Sequence, residues 1–267
     1  MIEPILVGNG TRILAAALAL EADISDLAII AAPGPRAAAS KAVEMVLAGR
    51  AGAIMKGDIH SDALLAEVVK KDGGLRTGRR LSHVFAVGVP GRAEILYVSD
   101  AAINIAPDLA TKVDITRNAI DLAHACGCVG PNVAVLSAVE TVNPSIPSTV
   151  DAAELRSMAG RGQFRGALVD GPFAMDNAID IDAARTKGIA SPLAGRADIL
   201  IVPNIEAGNI LVKGLVFLAR AQTAGIVMGA KAPIILTSRA DNARARLTSC
   251  ALTQLHHHIA FEGRKAA

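Results

Sequence analysis

The chain has 267 residues, a formal net charge of +2 and 52% hydrophobic residues, with no Trp, one Tyr and five Phe. That length suits one large or two modest α/β domains. The lack of a basic stripe or stacking aromatics argues against a nucleic-acid binder, and no apolar run approaches the ~20 residues that span a bilayer. Three cysteines, Cys126, Cys128 and Cys250, cannot build a disulfide framework. With no basic segment ahead of an apolar one at Met1-Ile2-Glu3, the expectation is a cytoplasmic protein without a signal peptide.

Short apolar runs and longer amphipathic ones alternate along the chain. Strands are predicted at 4–7, 27–31, 52–55, 83–89, 93–99, 133–137, 166–169, 198–202, 225–228 and 233–236. Helices are predicted at 11–22, 36–48, 62–71, 108–126, 149–159, 178–187, 208–222 and 240–255. Alternation of this kind predicts an α/β fold with a largely parallel sheet. Residues 84–98 are the exception, because Pro90-Gly91-Arg92 between two strands reads as an antiparallel hairpin.

Some motifs have plain readings. Gly8-Asn9-Gly10 lacks the third glycine of a dinucleotide loop, since Ile13 stands there, and reads as a strand-to-helix turn. His256-His257-His258 are consecutive, so on a helix they point apart and do not converge on one metal. Cys126-Gly127-Cys128 has no second ligand pair at zinc spacing and reads as a buried helix-end turn.

The chemistry-bearing residues gather where strands end. Met55-Lys56-Gly57 follows one strand. Val169-Asp170-Gly171-Pro172 closes another. Val202-Pro203-Asn204 closes a third and leads into Glu206-Ala207-Gly208-Asn209. The last predicted strand runs into Leu236-Thr237-Ser238-Arg239-Ala240-Asp241, so a hydroxyl, a guanidinium and a carboxylate arrive together before a helix. Ligands bind at such places because the first helical turn leaves backbone N–H groups free. Ser238 with an acid three residues on also fits a capping box in which Asp241 replaces Glu.

Taken in chain order, these stretches resemble the phosphate acetyl- and butyryltransferases, which share a fold with isocitrate and isopropylmalate dehydrogenases. The matching residues are Ile54-Met-Lys-Gly57, Val98-Ser-Asp100 with Asn104 and Pro107, Val169-Asp-Gly-Pro172, Val202-Pro-Asn204 with Glu206-Ala-Gly-Asn209 and Lys213, and Leu236-Thr-Ser-Arg239. The Thr-Ser-Arg-Ala-Asp form is more like the butyryl and mixed-acyl branch.

The resemblance implies two α/β domains with an interdomain cleft. The first would be discontinuous, residues 1–82 and 231–267, and the second would be the insert 83–230. Family members usually carry a further strand and helix before the segment that matches Glu3 to Gly8, so one layer of the first domain is expected to be absent.

It also implies an acyl transfer from acyl-CoA to phosphate, giving acyl phosphate and CoA, without an acyl-enzyme. Coenzyme A enters as substrate, no metal or other cofactor is required, and the protein is expected to be a homodimer. Ser238, Arg239 and Asp241 are the expected catalytic residues. The acetyl branch places its acid one turn later, near Ala245. Lys56, Gly57, Arg76, Asp170, Gly171, Pro172, Asn204, Gly208, Asn209 and Lys213 are the expected substrate contacts.

Two other readings stay open. One is an NAD- and metal-dependent hydroxy-acid dehydrogenase of the same fold, with Asp176, Asp180 and Asp182 as candidate ligands. The other is a non-catalytic domain of a fusion enzyme.

Overall fold

In the computed structural model of the chain, residues 2–237 and 242–265 are described. Strands β1 (Ile5–Gly8) and β2 (Ala28–Ala31) form a two-stranded parallel sheet. The other eight strands form one sheet in the order β3 (Ile54–Met55), β10 (Ile234–Ile235), β9 (Gln222–Met228), β4 (Ser82–Gly88), β5 (Leu96–Ser99), β8 (Ile199–Ile201), β6 (Asn132–Leu136), β7 (Leu168–Phe173). The outer pairs β3–β10, β5–β8, β8–β6 and β6–β7 are parallel, whereas β10–β9, β9–β4 and β4–β5 are antiparallel. The α/β class with a mainly parallel sheet is therefore correct. The predicted hairpin is β4–β5, and its turn places Gly91 at φ 84 with the Arg92 N–H donating to Val89 O at 3.0 Å.

Nine helices cover the sheet among the described residues: α1 (Gly10–Ala19), α2 (Pro35–Leu47), α3 (Ser61–Val68), α4 (Leu109–Ala125), α5 (Pro147–Gly160), α6 (Met175–Ile179), α7 (Ile181–Thr186), α8 (Ile205–Phe217) and α9 (Ala243–Lys265). Three apolar clusters hold the layers together. Beneath α4, α5 and α9 lie residues such as Ile115, Leu122, Leu155, Ile226 and Leu252. Beneath α6, α7 and α8 lie Phe173, Leu193, Leu200 and Val212. A third cluster, with Val43, Leu64, Val68, Leu75 and Ile234, sits under α2 and α3. Both faces of β8 are covered, so Ile199, Leu200 and Ile201 are fully buried, which explains their unbroken apolar run. By contrast, α1 buries none of its residues.

Several expected boundaries move, each for a local reason. β7 does not stop at Val169 but runs through Asp170, Gly171 and Pro172 to Phe173. It is an edge strand, where a proline without an N–H breaks no ladder bond. The helix expected at 178–187 is split into α6 and α7, because Asp180 caps the second by accepting from Ala183 N–H at 2.7 Å. α8 starts at Ile205, three residues before the expected start, because Asn204 caps it from Ala207 N–H at 2.9 Å. The strand that follows accordingly begins at Gln222. α9 starts at Ala243 rather than at 240, and Asn242 Oδ1 accepts from Ala245 N–H at 2.9 Å.

The glycine motif is a strand-to-helix turn as expected, whereas the cysteine motif is a helix-end turn that is half-buried to exposed rather than buried. Asn9 caps α1 by accepting from Arg12 N–H at 3.1 Å. Cys126 ends α4, Gly127 takes φ 84, and Cys128 N–H closes the turn onto Ala123 O at 3.0 Å. Burial pushes all three thiols up. His256 lines a cavity beside Thr77, Arg79 and Asp121, while His257 lies against Gly52. Among the described residues no helix is long and apolar enough to cross a membrane.

Candidate active site

β3 and β10 come from distant parts of the chain and lie side by side in parallel. Their carboxyl ends therefore open together. The Lys56 N–H donates to Ile235 O at 2.9 Å, which carries the pairing one residue past β3. Lys56 is buried, and its ammonium reaches Ile59 O at 3.3 Å. Gly57 follows in open space, with no atom within 4 Å of where a Cβ would stand. Helix α3 then starts at Ser61 behind His60, which makes no side-chain cap. Such a helix start leaves donors to receive an anion.

On the neighbouring strand β10 leads through Leu236 to buried Thr237. Ser238, Arg239 and Asp241 come next and lie outside the described residues. The chain returns at Asn242, and α9 is clamped to β9 by Ser249, whose Oγ accepts from Gly225 N–H at 3.0 Å and donates to Ala245 O at 2.9 Å. Among the described residues, Asn242 caps this helix by accepting from Ala245 N–H at 2.9 Å.

The other expected contacts are spread along the sheet. Arg76 is exposed, and its backbone bridges Ala230 ahead of β10, at the opposite end of that strand from Thr237. Asp170 lies on β7, six strand spacings from β10, roughly 29 Å along a flat sheet at ~4.8 Å each. Its carboxylate is engaged within the chain. Oδ1 accepts from Gly171 N–H at 2.8 Å and faces Arg156 Nε at 3.1 Å, and Oδ2 accepts from Ser191 Oγ at 2.6 Å. A Cβ at Gly171 would stand 2.9 Å from Val135 O and 3.1 Å from Ala152 Cβ, so glycine lets α5 close on the sheet. Pro172 is buried beside it.

Asn204 caps α8, as described above. A Cβ at Gly208 would come within 2.7 Å of Val202 Cγ2 and 2.9 Å of Ala101 Cα, so α8 sits directly on the segment after β5. Asn209 Nδ2 donates to Ala101 O at 3.3 Å, and Lys213 is exposed one turn later.

That segment is the part whose role the sequence reading left blank. Buried Asp100 accepts from the N–H groups of Ala102, Ile103 and Asn104 at 3.0–3.1 Å and from Asn104 Nδ2 at 2.6 Å. Asn104 Nδ2 also donates to Leu81 O at 2.8 Å, which ties the loop to the start of β4. Burial pushes the Asp100 carboxyl up, while these donors pull it the other way. An aspartate followed by small residues at a strand end is the available sequence signal for such a turn.

His83 on β4 is a second residue that was missed. Its ring lies 4.2 Å from that of Phe85, over Gly225, and is fully buried with Nδ1 unpartnered. Burial lowers its pKa to about 4.

The three aspartates of the dehydrogenase reading do not converge. Asp176 pairs with Lys187 at 2.9 Å, Asp182 with Arg185 at 3.3 Å, and Asp180 caps α7. Among the described residues no cluster of three His, Cys, Asp or Glu could hold a metal ion.

The chain matches the model of the family described as "Phosphate acetyl/butaryl transferase" over residues 30–254. A phosphate acetyltransferase of Rhizobium meliloti is 53% identical over 256 residues, 96% of this chain and 81% of the relative. A phosphate butyryltransferase of Clostridium acetobutylicum is 42% identical over 253 residues, 95% of this chain and 84% of the relative. Among solved structures, a branched-chain phosphotransacylase from Enterococcus faecalis V583 superposes with a TM-score of 0.82 at 31% identity, covering 95% of this chain and 99% of that one. With the fold, the paired ends of β3 and β10 and these relatives in agreement, the chain belongs to the phosphate acetyl/butyryltransferase family.

Proposed function

We infer that this enzyme exchanges a short acyl group between coenzyme A and inorganic phosphate, and that the exchange takes place at the shared open end of β3 and β10. The observation that carries the location is the juxtaposition of Lys56, Gly57 and the uncapped start of α3 with the strand that leads into Ser238, Arg239 and Asp241.

The chemistry needs four things there. Phosphate must be held, and Arg239 offers planar paired donors while Lys56 adds charge. A phosphate oxygen attacks the thioester carbonyl, and the oxyanion that develops needs donors already in place, which Ser238 and backbone N–H groups supply. The C–S bond then breaks. The thiolate takes a proton, and in the reverse direction Asp241 accepts the proton of the CoA thiol. Finally, the two substrates must be aligned, which a cleft between domains 1–82 with 231–267 and 83–230 would do by restricting their motion. Asp170, Gly171, Pro172, Asn204 and Gly208 belong to the framework that the second domain contributes. We place the enzyme in the cytoplasm, as a homodimer that needs no metal.

The test is phosphate-dependent release of free thiol from acetyl-CoA and butyryl-CoA, before and after exhaustive chelation. Release that survives chelation supports the reading. Loss on chelation, or hydride transfer from a hydroxy acid to NAD, would transfer it to the dehydrogenase alternative. No turnover of either kind would leave a non-catalytic domain.

A further inference from the structure

A cavity of about 340 Å³ opens between α4, α9 and the segment ahead of β4, and none of the expected substrate contacts among the described residues lines it. That volume is at the small end for a metabolite site. Part of its wall is apolar. Met228 ends β9, and Ala230 and Pro233 lead into β10 at the end away from Thr237. Two polar lining groups are already spent. Thr77 Oγ1 donates to Gly229 O at 2.6 Å and accepts from Arg79 N–H at 3.1 Å. Asn118 Nδ2 donates to Arg80 O at 3.0 Å and to Ser82 Oγ at 2.8 Å. These bonds fix the arginine segment between β9 and α4, so little ordering is left for a ligand to impose.

Three other lining groups keep unused capacity. Arg79 meets Asp121 through one guanidinium nitrogen, Nη1, and one carboxylate oxygen, Oδ2. The two side chains are 40% and 45% exposed, and a pair that open is worth little, so a ligand can enter it at small cost. His256 Nδ1 is buried with no partner among the described residues. Burial lowers the pKa of His256 more than the Asp121 charge raises it, so the ring is neutral at pH 7 and Nδ1 is free to accept a hydrogen bond. A bare anion on Arg79 would sit beside the Asp121 carboxylate, and a bare cation on Asp121 would sit beside the guanidinium. A molecule that carries both charges a few bonds apart avoids both repulsions. We propose that this cavity binds a small zwitterion, an α-amino acid with an apolar side chain. Its carboxylate lies on the free edge of Arg79, in the paired geometry a guanidinium favours. Its ammonium lies between Asp121 Oδ1 and His256 Nδ1, and its side chain packs on Met228, Ala230 and Pro233.

Isothermal titration calorimetry of the whole chain at neutral pH tests this with L-valine, L-leucine and L-methionine as probes. At least one should bind saturably, one to one, with a Kd below about 1 mM. Two analogues of leucine each keep only one of its charges: 4-methylpentanoate lacks the ammonium and 3-methylbutylamine lacks the carboxylate. Both should bind at least tenfold more weakly than leucine. Arg79→Gln, Asp121→Asn and His256→Ala should each raise the Kd at least tenfold, while circular dichroism and melting cooperativity stay those of a folded chain. Binding is read without turnover, so the result does not depend on the acyl-transfer reading. No saturable binding of any of the three amino acids up to about 10 mM would overturn the site. Equal affinity for either single-charge analogue would overturn the zwitterion as its ligand. Amino-acid binding left intact in Arg79→Gln and Asp121→Asn would overturn its location.

Discussion

At the open end of β3 and β10, Gly57 faces empty space and α3 begins without a side-chain cap. At the ends of β7 and β8 the reverse holds. Asp170 spends both carboxylate oxygens on Gly171, Arg156 and Ser191, Asn204 caps α8, and Gly171 and Gly208 are pressed against neighbouring atoms. The two regions carry the same kinds of residue at the same kind of place. On the function proposed above, donors and space left unused mark the position of a ligand, whereas donors and space already consumed mark framework. Polar residues cost free energy when buried unpaired, so the second group reads as the means by which the insert holds its shape.

The sharpest way to break this comparison is at Asp241. Asn242 caps α9, so a cap remains at that helix start when Asp241→Asn removes a proton acceptor. The expected outcome is a loss of turnover of about 10²–10⁴ with an unchanged melting temperature. Thiol release and thermal unfolding measured on the same sample check it. A variant with normal rate and reduced Tm would return Asp241 to a structural role. Introducing Ala245→Asp into that variant should restore part of the rate, since position 245 is four residues on in sequence and lies in the first turn of α9.

Arg239→Ala should cost roughly 10²–10³ in turnover, the usual effect of losing one transition-state donor. A lysine should recover only part of it, because it lacks the planar fork. Near-normal kinetics in the alanine variant would move the phosphate site away from β10.

The strand and helix order was legible because each element buries one face and the hydrophobic period reports it. What was not legible was set by partners distant in sequence. β7 continues through Pro172 because it is the edge strand, a property of the finished sheet. α8 starts three residues early because Asn204 caps it, and the local pattern weighed the Gly208-Asn209 pair more heavily than that cap. The resemblance grouped Lys56, Asp170 and Asn204 as one site. The fold sorts them by how far each is already satisfied, which only the tertiary contacts disclose. His83 gave no local signal at all, since its burial comes from β9 and from Phe85.

That histidine sets a third expectation. Its pKa is held at about 4 by burial, below the ordinary ~6.5 of an unfolded chain. The unfolded state therefore binds the extra proton between these values, so stability is complete above pH ~6.5 and falls as the pH drops towards 4. The loss is of order 3 kcal/mol at the acid end. Glu67 shifts in the same direction, its pKa lowered chiefly by the hydrogen bond from Lys70, so the stability it lends also fades as the pH falls, but at lower pH than the histidine window. His83→Phe should flatten urea-unfolding free energy between pH 6.5 and 4.5. An unaltered slope there would mean that the ring finds a partner for its proton.

The smallest effect is expected at Asp170, and it tests the framework half of the comparison directly. Asp170→Asn keeps one oxygen and the volume of the side chain. It loses the charge facing Arg156, whose side chain is 67% exposed, and a pairing that exposed is worth little. It also turns one of the two acceptors into an amide donor, so the bond from Ser191 Oγ or from Gly171 N–H is lost. The net cost is about 1–2 kcal/mol of stability. Turnover and KM for both acyl-CoA and phosphate should stay within about threefold, since on this reading the carboxylate braces β7 and touches no substrate. Chemical denaturation with full kinetics in both substrates decides the matter. If kcat/KM for phosphate or for acyl-CoA falls by more than ~30-fold while stability is unchanged, the carboxylate is a substrate contact. The active site would then extend along the sheet to its far edge, and satisfaction within the chain would no longer separate framework from site.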